Sequence, residues 1–192
     1  MSTLVMMPAR LVRRLSRRLR RLVRDKRGVS AVEFAMLLPL MVTLYLGGVE
    51  ISQAVAIDRK VTLISRTLAD LVAQVTSVNS TDMQNILAAS SAIIAPYPTT
   101  TLKITVSRVD VSSSNVATII WSKANSNGTA RTVGQVVTLP SALNVANTSL
   151  IWGEAKYGYT PTMGYVITGT LTLSDQIYMA PRLSTSVACN SC

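Results

Sequence analysis

Residues 27–39 read RGVSAVEFAMLLP, and they decide how the rest of the chain is organised. A block of arginines precedes Gly28, and an apolar run that contains one carboxylate, Glu33, follows it. A charge near the start of a membrane span is costly, so this glutamate needs an explanation. It can belong to an ordinary signal-anchor, in which a basic flank sets the topology and the carboxylate reaches water. Gly28 is also small and flexible, which suits an extended strand entering a protease cleft.

The apolar run extends from Val29 to Ile51, which is long enough for the ~20 residues that a membrane-spanning helix needs. Pro39 lies inside the run, where it removes one backbone hydrogen bond and should kink or locally open the helix. Membrane helices tolerate proline, so Pro39 is either a permitted kink or a weak point that lets the helix stretch. The long leader and the lack of a clear A-x-A site distinguish the run from a secretory signal peptide.

The formal net charge of +10 comes almost entirely from the leader, residues 1–28. The leader holds ten Lys or Arg and one Asp, whereas the rest of the chain holds nine basic and eight acidic side chains. A nucleic-acid interface needs a basic surface with interleaved aromatic residues, and the leader has none, so we expect no nucleic-acid partner. Residues 10–24 fit either a cationic amphipathic helix on the inner leaflet or a disordered tail that only fixes orientation.

The same region carries a family resemblance. Residues 28–39, GVSAVEFAMLLP, and residues 46–50, LGGVE, resemble the TadE family of pilin-like proteins of bacterial Tad (Flp) type IV pilus systems. The basic leader, the glycine, the glutamate five residues later, the proline and the second glutamate match in order over about residues 26–70. Phe34 stands where major Flp pilins typically carry tyrosine, which favours an accessory or minor pilin (pseudopilin).

The resemblance implies cleavage after Gly28 by a prepilin peptidase, which would leave Val29 as the mature N-terminus. It implies that four residues of the motif serve assembly: Glu33, Phe34, Pro39 and Glu50. The protein would lie in the bacterial inner membrane, with a cytoplasmic N-terminus and a periplasmic C-terminal domain, or in an extracellular pilus used for surface adhesion. Its partners would be other pilins, Tad assembly proteins and the prepilin peptidase. The alternative is an uncleaved single-span envelope protein that scaffolds the pilus or secretion machine.

Beyond Glu50 the helix should continue to about Val75, because apolar residues recur at alternating steps of four and three. The stripe consists of Ile57, Val61, Ile64, Leu68, Leu71 and Val75. It can pack on the chain's own sheet, which is the commoner use, or on neighbouring helices. A second helix is expected at residues 82–94, with Ser80 or Thr81 as its N-cap.

The rest of the chain has a β composition, in which apolar and polar residues alternate. We predict strands at residues 102–107, 116–123, 135–139, 150–159, 165–173 and 175–179, with a helical turn at 140–145. Threonine and serine on the other face predict a sheet with one solvated side. The fold class is therefore α+β, with a long N-terminal helix, half transmembrane and half amphipathic, packed on an antiparallel sheet, as in pilins. The predicted domains are a cytoplasmic leader (1–28), a transmembrane helix (29–51), its amphipathic continuation (52–76) and a periplasmic or extracellular α+β domain (77–192).

The chain ends in Cys189-Asn190-Ser191-Cys192 and has no histidine. If this end is periplasmic, we expect a disulfide between Cys189 and Cys192, with intermolecular pairing as the next option. In a reducing compartment the two thiols could be redox-active or half of a metal site. The sequence has no second cysteine pair, phosphate-binding loop or nucleophile–base motif, and its carboxylates are scattered. We therefore expect no enzyme activity, cofactor, metal or small-molecule substrate.

Overall fold

The computed structural model describes residues 27–161, 164 and 168–190. The chain divides into two compact units, Met1–Gly48 and Val49–Cys192. The helix or tail predicted for residues 10–24 lies outside the described residues, as does nearly all of the leader.

The longest element is helix α1, Arg27–Ala73, which begins and ends two residues before the predicted positions. In the first unit, the large apolar side chains of α1 between residues 29 and 45 are exposed, including the adjacent residues 36, 37 and 38. A helix that is apolar on all sides is normally buried in a membrane or in other protein. By length and composition, α1 can cross a membrane, and among the described helices it alone can do so.

A second helix and seven strands follow α1 in the described part of the chain. In chain order they are β1 (Ser77–Asn79), α2 (Ser80–Ala92), β2 (Leu102–Val111), β3 (Ala117–Ala124), β4 (Val136–Val137), β5 (Thr148–Tyr159), β6 (Leu171–Met179) and β7 (Ala188–Asn190). Strands β2 to β6 form an antiparallel sheet in the order β4-β3-β2-β5-β6, whereas β1 and β7 form a separate parallel pair. The predicted α+β fold class, with a long helix on an antiparallel sheet, is confirmed.

The main core of the second unit lies between α1 and the sheet. From the helix, Ile57, Val61, Ile64 and Leu68 are completely buried, and they share one cluster with the apolar residues of β2 and β5. The prediction that the stripe packs on the chain's own sheet is thus confirmed. The stripe continues at Val72 and not at Leu71, which is only half-buried. An α-helix has 3.6 residues per turn, so a strict heptad drifts off the buried face after a few turns.

Helix α1 approaches the sheet closely at Gly153 on β5. A Cβ atom at this position would lie 2.7 Å from the carbonyl oxygen of Ser65 and 3.1 Å from the Cβ of Ala69. Real Cβ atoms do not approach a backbone oxygen so closely, and the oxygen belongs to a helix that cannot yield locally. Gly153 therefore sets the distance at which α1 lies on the sheet.

We predict that Gly153→Ala lowers the free energy of unfolding of the second unit by about 1–3 kcal/mol, because the helix must move away from β5. The measurement is denaturant unfolding of the full chain in detergent micelles, followed by the fluorescence of Trp121 and Trp152, which both lie in this unit. Gly158→Ala is the matched control on the same strand, since its Cβ would meet its nearest atom at an ordinary 3.4 Å. An equal effect of the two substitutions would contradict the steric explanation.

The face of the sheet opposite α1 is only partly solvated, contrary to the prediction. Near the β2–β3 turn it carries a second apolar cluster: Val109, Val111, Ala117, Ile119, Leu139, Leu150 and Trp152. The β2–β3 register shifts at this place, because Val109 pairs with Ile119 and Arg108 with Trp121, which leaves Ile120 as an extra residue in β3. The bulge puts Ile119 in the second cluster and Trp121 in the main core, although they are two residues apart. Simple alternation could not predict this division.

The start of α2 also differs from the prediction. Its N-cap is Asn79, not Ser80 or Thr81, and the Asn79 side chain accepts a hydrogen bond from the Asp82 backbone N–H at 2.9 Å. The Asp82 carboxylate in turn accepts from the backbone N–H of Asn79, which completes a capping box. Residues 77–79, where no strand was predicted, form strand β1, which pairs with β7 near the other end of the chain.

Strand β6 corrects two further predictions. The strand predicted at residues 165–173 begins only at Leu171, and it continues without a break through the segment predicted as a separate strand, to Met179. Gly169 precedes it with φ of +87°, a left-handed conformation that strand residues do not adopt. Residues 165–167 lie outside the described part of the chain.

Candidate functional site

Gly28 and Val29, the predicted processing site, are the second and third residues of α1. Both are exposed, and among the described residues no side chain, and no backbone other than that of the adjacent helix, lies within 4 Å of a Cβ built on Gly28. The segment is helical, and the extended form expected inside a protease cleft stays a prediction. Glycine costs roughly 1 kcal/mol relative to alanine in a helix, so Gly28 makes α1 easier to unwind at this position.

Glu33 lies one helical turn after Val29, and Phe34 follows it directly. The four-residue spacing places Val29 and Glu33 on the same side of α1. The Phe34 side chain is 58% exposed, and Glu33 is exposed as well. Glu33 is thus the only charged side chain of α1 between residues 28 and 49.

Pro39 and Thr43, which lie one turn apart, both weaken the helix. Pro39 has no N–H to donate to the carbonyl oxygen of Ala35, four residues earlier. The Thr43 hydroxyl donates to the carbonyl oxygen of Pro39 at 2.8 Å, and such back-bonding slightly destabilises helices and bends them. The backbone of this turn is the weakest place in the apolar part of α1.

Glu50 has a very different environment from Glu33. It belongs to the second unit and is only 4% exposed. The buried Tyr159 hydroxyl donates to Gln53 Oε1 at 3.1 Å and lies 3.5 Å from the Glu50 carbonyl oxygen. Burial raises the pKa of Tyr159 above its usual value, and the negative charge of Glu50 raises it further. This geometry gives Glu50 a place inside the folded unit, and its assembly role stays a prediction.

The C-terminal segment is fastened to α1 and to the sheet. Arg182 forms an ion pair with Asp70, and its backbone N–H donates to the Ala73 carbonyl oxygen at 2.8 Å, which satisfies one of the open carbonyls at the end of α1. The Val187 carbonyl oxygen accepts from the Trp121 indole at 2.9 Å. Cys189 pairs with Val78 in the β1–β7 ladder. Cys192 lies outside the described residues, so the Cys189–Cys192 disulfide stays a prediction.

A polar cavity of about 360 Å³ lies on the sheet face opposite α1. Its lining comes from β2, from β5 and from the loop after β3: Lys103, Thr105, Thr129, Ala130, Arg131, Glu154 and Lys156. Sequence reasoning missed it, because the loop residues reach the strands only in the folded chain. Within the described residues, no group of three His, Cys, Asp or Glu is arranged to hold a metal ion.

Comparison with known protein families matches residues 28–70 to the family described as TadE-like protein. The resemblance is confirmed over this segment. The TadE-like match lies entirely within α1 and ends before β1, so it covers the predicted processing site and both glutamates but none of the sheet. It is consistent with a protein of the Tad pilus system. No curated protein and no solved structure matches the chain.

We predict that Tyr159→Phe lowers the free energy of unfolding by about 1 kcal/mol, because Gln53 loses a buried hydrogen-bond donor. Tryptophan fluorescence during denaturant unfolding of the full chain measures the effect. Tyr178→Phe is the control, since the Tyr178 ring is stacked on Trp152, 5.1 Å between centroids, and no described group is hydrogen-bonded to its hydroxyl. We expect the control to change stability by less than about 0.5 kcal/mol. A Tyr159→Phe protein as stable as wild type would show that this hydrogen bond does not hold α1 to β5.

Proposed function

We propose that the protein is a TadE-like minor pilin (pseudopilin) that is processed after Gly28 and is needed to assemble a Tad (Flp) pilus for surface adhesion. The observation that carries the proposal is the first part of α1, which exposes apolar side chains on every side and has Glu33 as its only charged residue between positions 28 and 49. The TadE-like match over residues 28–70 supports it. We propose a structural role without catalysis.

Processing would give Glu33 a partner. Cleavage after Gly28 creates a positive α-amino group on Val29, and in a bilayer a lone carboxylate is stabilised by such a charge. The amino group of an adjacent subunit would pair with Glu33, favour movement from the membrane into the filament and fix the axial step between subunits. The loosened turn at Pro39 and Thr43 would let the helix lengthen as it leaves the bilayer.

The peptidase would meet a substrate that opens easily. Gly28 is roughly 1 kcal/mol less favourable in a helix than alanine would be, so the stretch around the Gly28–Val29 bond becomes extended in a protease cleft more easily than one with alanine at this position. The arginine block before it would hold the N-terminus in the cytoplasm, with the sheet on the other side of the inner membrane.

The second candidate is an uncleaved single-span envelope protein that scaffolds the pilus or secretion machine. One observation favours it: Gly28 is part of helix α1, as it would be in a permanent anchor. In that protein the leader stays attached, and Glu33 only needs to reach the interface. Other pilins and Tad assembly proteins would be its partners as well.

The test of the proposed function is substitution of Glu33. We predict that Glu33→Ala is cleaved normally but is recovered in sheared filaments at least tenfold less than wild type. Loss of a pairing worth about 1.4 kcal/mol already shifts an equilibrium tenfold, and a carboxylate inside a membrane depends strongly on such a partner. The measurement is quantitative immunoblotting of membrane and sheared fractions.

Two control variants test whether incorporation depends on where the carboxylate lies on the helix and not only on whether one is present. Ser30→Ala removes a nearby exposed polar group and should incorporate as wild type does. The double variant Val32→Glu with Glu33→Gln keeps one carboxylate but turns it about 100° around the helix, and it should fail as Glu33→Ala does. Normal incorporation of Glu33→Ala would refute the pairing role.

A further inference from the structure

The cavity opposite α1 has two lysines at its mouth that face each other. Lys103 on β2 and Lys156 on β5 are direct partners in the antiparallel register. Like charges directly opposite each other destabilise a sheet. Both side chains are exposed, and within the described part of the chain neither forms an ion pair. The sheet register thus places two lysines opposite each other, and among the described residues neither has an anionic partner.

The nearest carboxylate does not neutralise these lysines, because it is already engaged. Glu154 lies two residues before Lys156 and is 8% exposed. Its two carboxylate oxygens accept hydrogen bonds from Arg131 Nε and Nη2, both at 2.8 Å. Such a bidentate pair satisfies both groups and fixes their geometry. Of the three cations that line the cavity, Arg131 is therefore paired, and the two lysines supply its net positive charge.

The wall around the lysines is rigid. The Arg131 guanidinium lies 3.7 Å from the centroid of the Trp152 ring, and its backbone N–H donates to Ser122 Oγ at 2.9 Å. Ser122 Oγ and Ser107 Oγ are hydrogen-bonded at 2.8 Å, so the backbone of Arg131 is linked through Ser122 to strand β2. The Thr105 hydroxyl donates to the Thr129 carbonyl oxygen at 3.3 Å and holds the loop from the other side. A ligand would therefore meet a site that is already formed.

The lining chemistry selects the class of ligand. An ammonium group is a compact charge with three donors, suited to a carboxylate or phosphate oxygen. The lining residues include no aromatic ring on which a sugar or a base could stack, since Trp152 is buried beneath Arg131. A volume of about 360 Å³ admits a small ligand or one side chain of a partner.

We propose that this cavity binds an oxyanion between the ammonium groups of Lys103 and Lys156. The oxyanion comes either from a free small anion or from a carboxylate on an acidic segment of a partner protein. Binding removes the repulsion between the two strands and so stabilises the sheet. The site belongs to the second unit alone and stands independently of the proposed processing and assembly.

The test is calorimetric titration of the full chain in detergent micelles at low ionic strength, with inorganic phosphate and with a hexaglutamate peptide as separate probes. We expect saturable binding of at least one probe, and an affinity at least tenfold lower for the double variant Lys103→Gln with Lys156→Gln. The control double variant Arg59→Gln with Arg66→Gln removes the same charge from exposed positions on α1 and should bind within twofold of wild type. Phosphate binding alone identifies a free anion as the source, and peptide binding identifies a partner's carboxylate.

Thermal melting provides a second readout. The bound anion should raise the melting temperature of wild type and of the arginine control, but not that of the lysine variant, because only a native-state ligand stabilises the fold. Melting also shows that the lysine variant is folded. The proposal is overturned if neither probe saturates, if the lysine variant binds as wild type does, or if both double variants lose affinity equally.

Discussion

The contact between α1 and β5 at Gly153 is the constraint on which the second unit depends. The helix can bury its stripe at Ile57, Val61, Ile64 and Leu68 only because β5 has no side chain at the point where the Ser65 carbonyl approaches. Burial of four aliphatic side chains contributes roughly 6–12 kcal/mol, which is comparable to the whole stability of a domain. The end of the same helix is held by the Arg182 backbone N–H and by the Arg182–Asp70 ion pair.

The two parts of α1 therefore have different physical environments. From Val49 onward α1 is the central helix of a soluble-type core, amphipathic and packed on its own sheet. Before Gly48 it is apolar on all sides and suited to lipid or to other helices. The two glutamates of the TadE-like segment follow the same division, since Glu33 is exposed on the apolar part and Glu50 is buried in the folded unit. The matched segment thus combines one exposed carboxylate with one buried carboxylate.

Sequence reasoning was sufficient where a single element decides the structure. The extent of α1, its buried stripe and the strands at β2, β3 and β5 followed from local periodicity. It failed where the structure depends on contacts between distant parts of the chain. Strand β1 is three residues long and exists through its pairing with β7, and the bulge at Ile120 depends on the β2–β3 register. Nothing local showed that Lys103 and Lys156 face each other, or that Arg131 reaches Glu154, because both relations arise from pairing between strands and loops.

The proposed function requires that α1 begins a mature pilin and not a permanent anchor. We would measure the intact mass and N-terminal sequence of the protein taken from membranes and from sheared surface filaments of a strain with active prepilin peptidase. We expect a chain that begins at Val29 and occurs in the sheared fraction. A chain that still begins at Met1 and stays in the membrane would contradict it and leave the single-span scaffold as the better explanation.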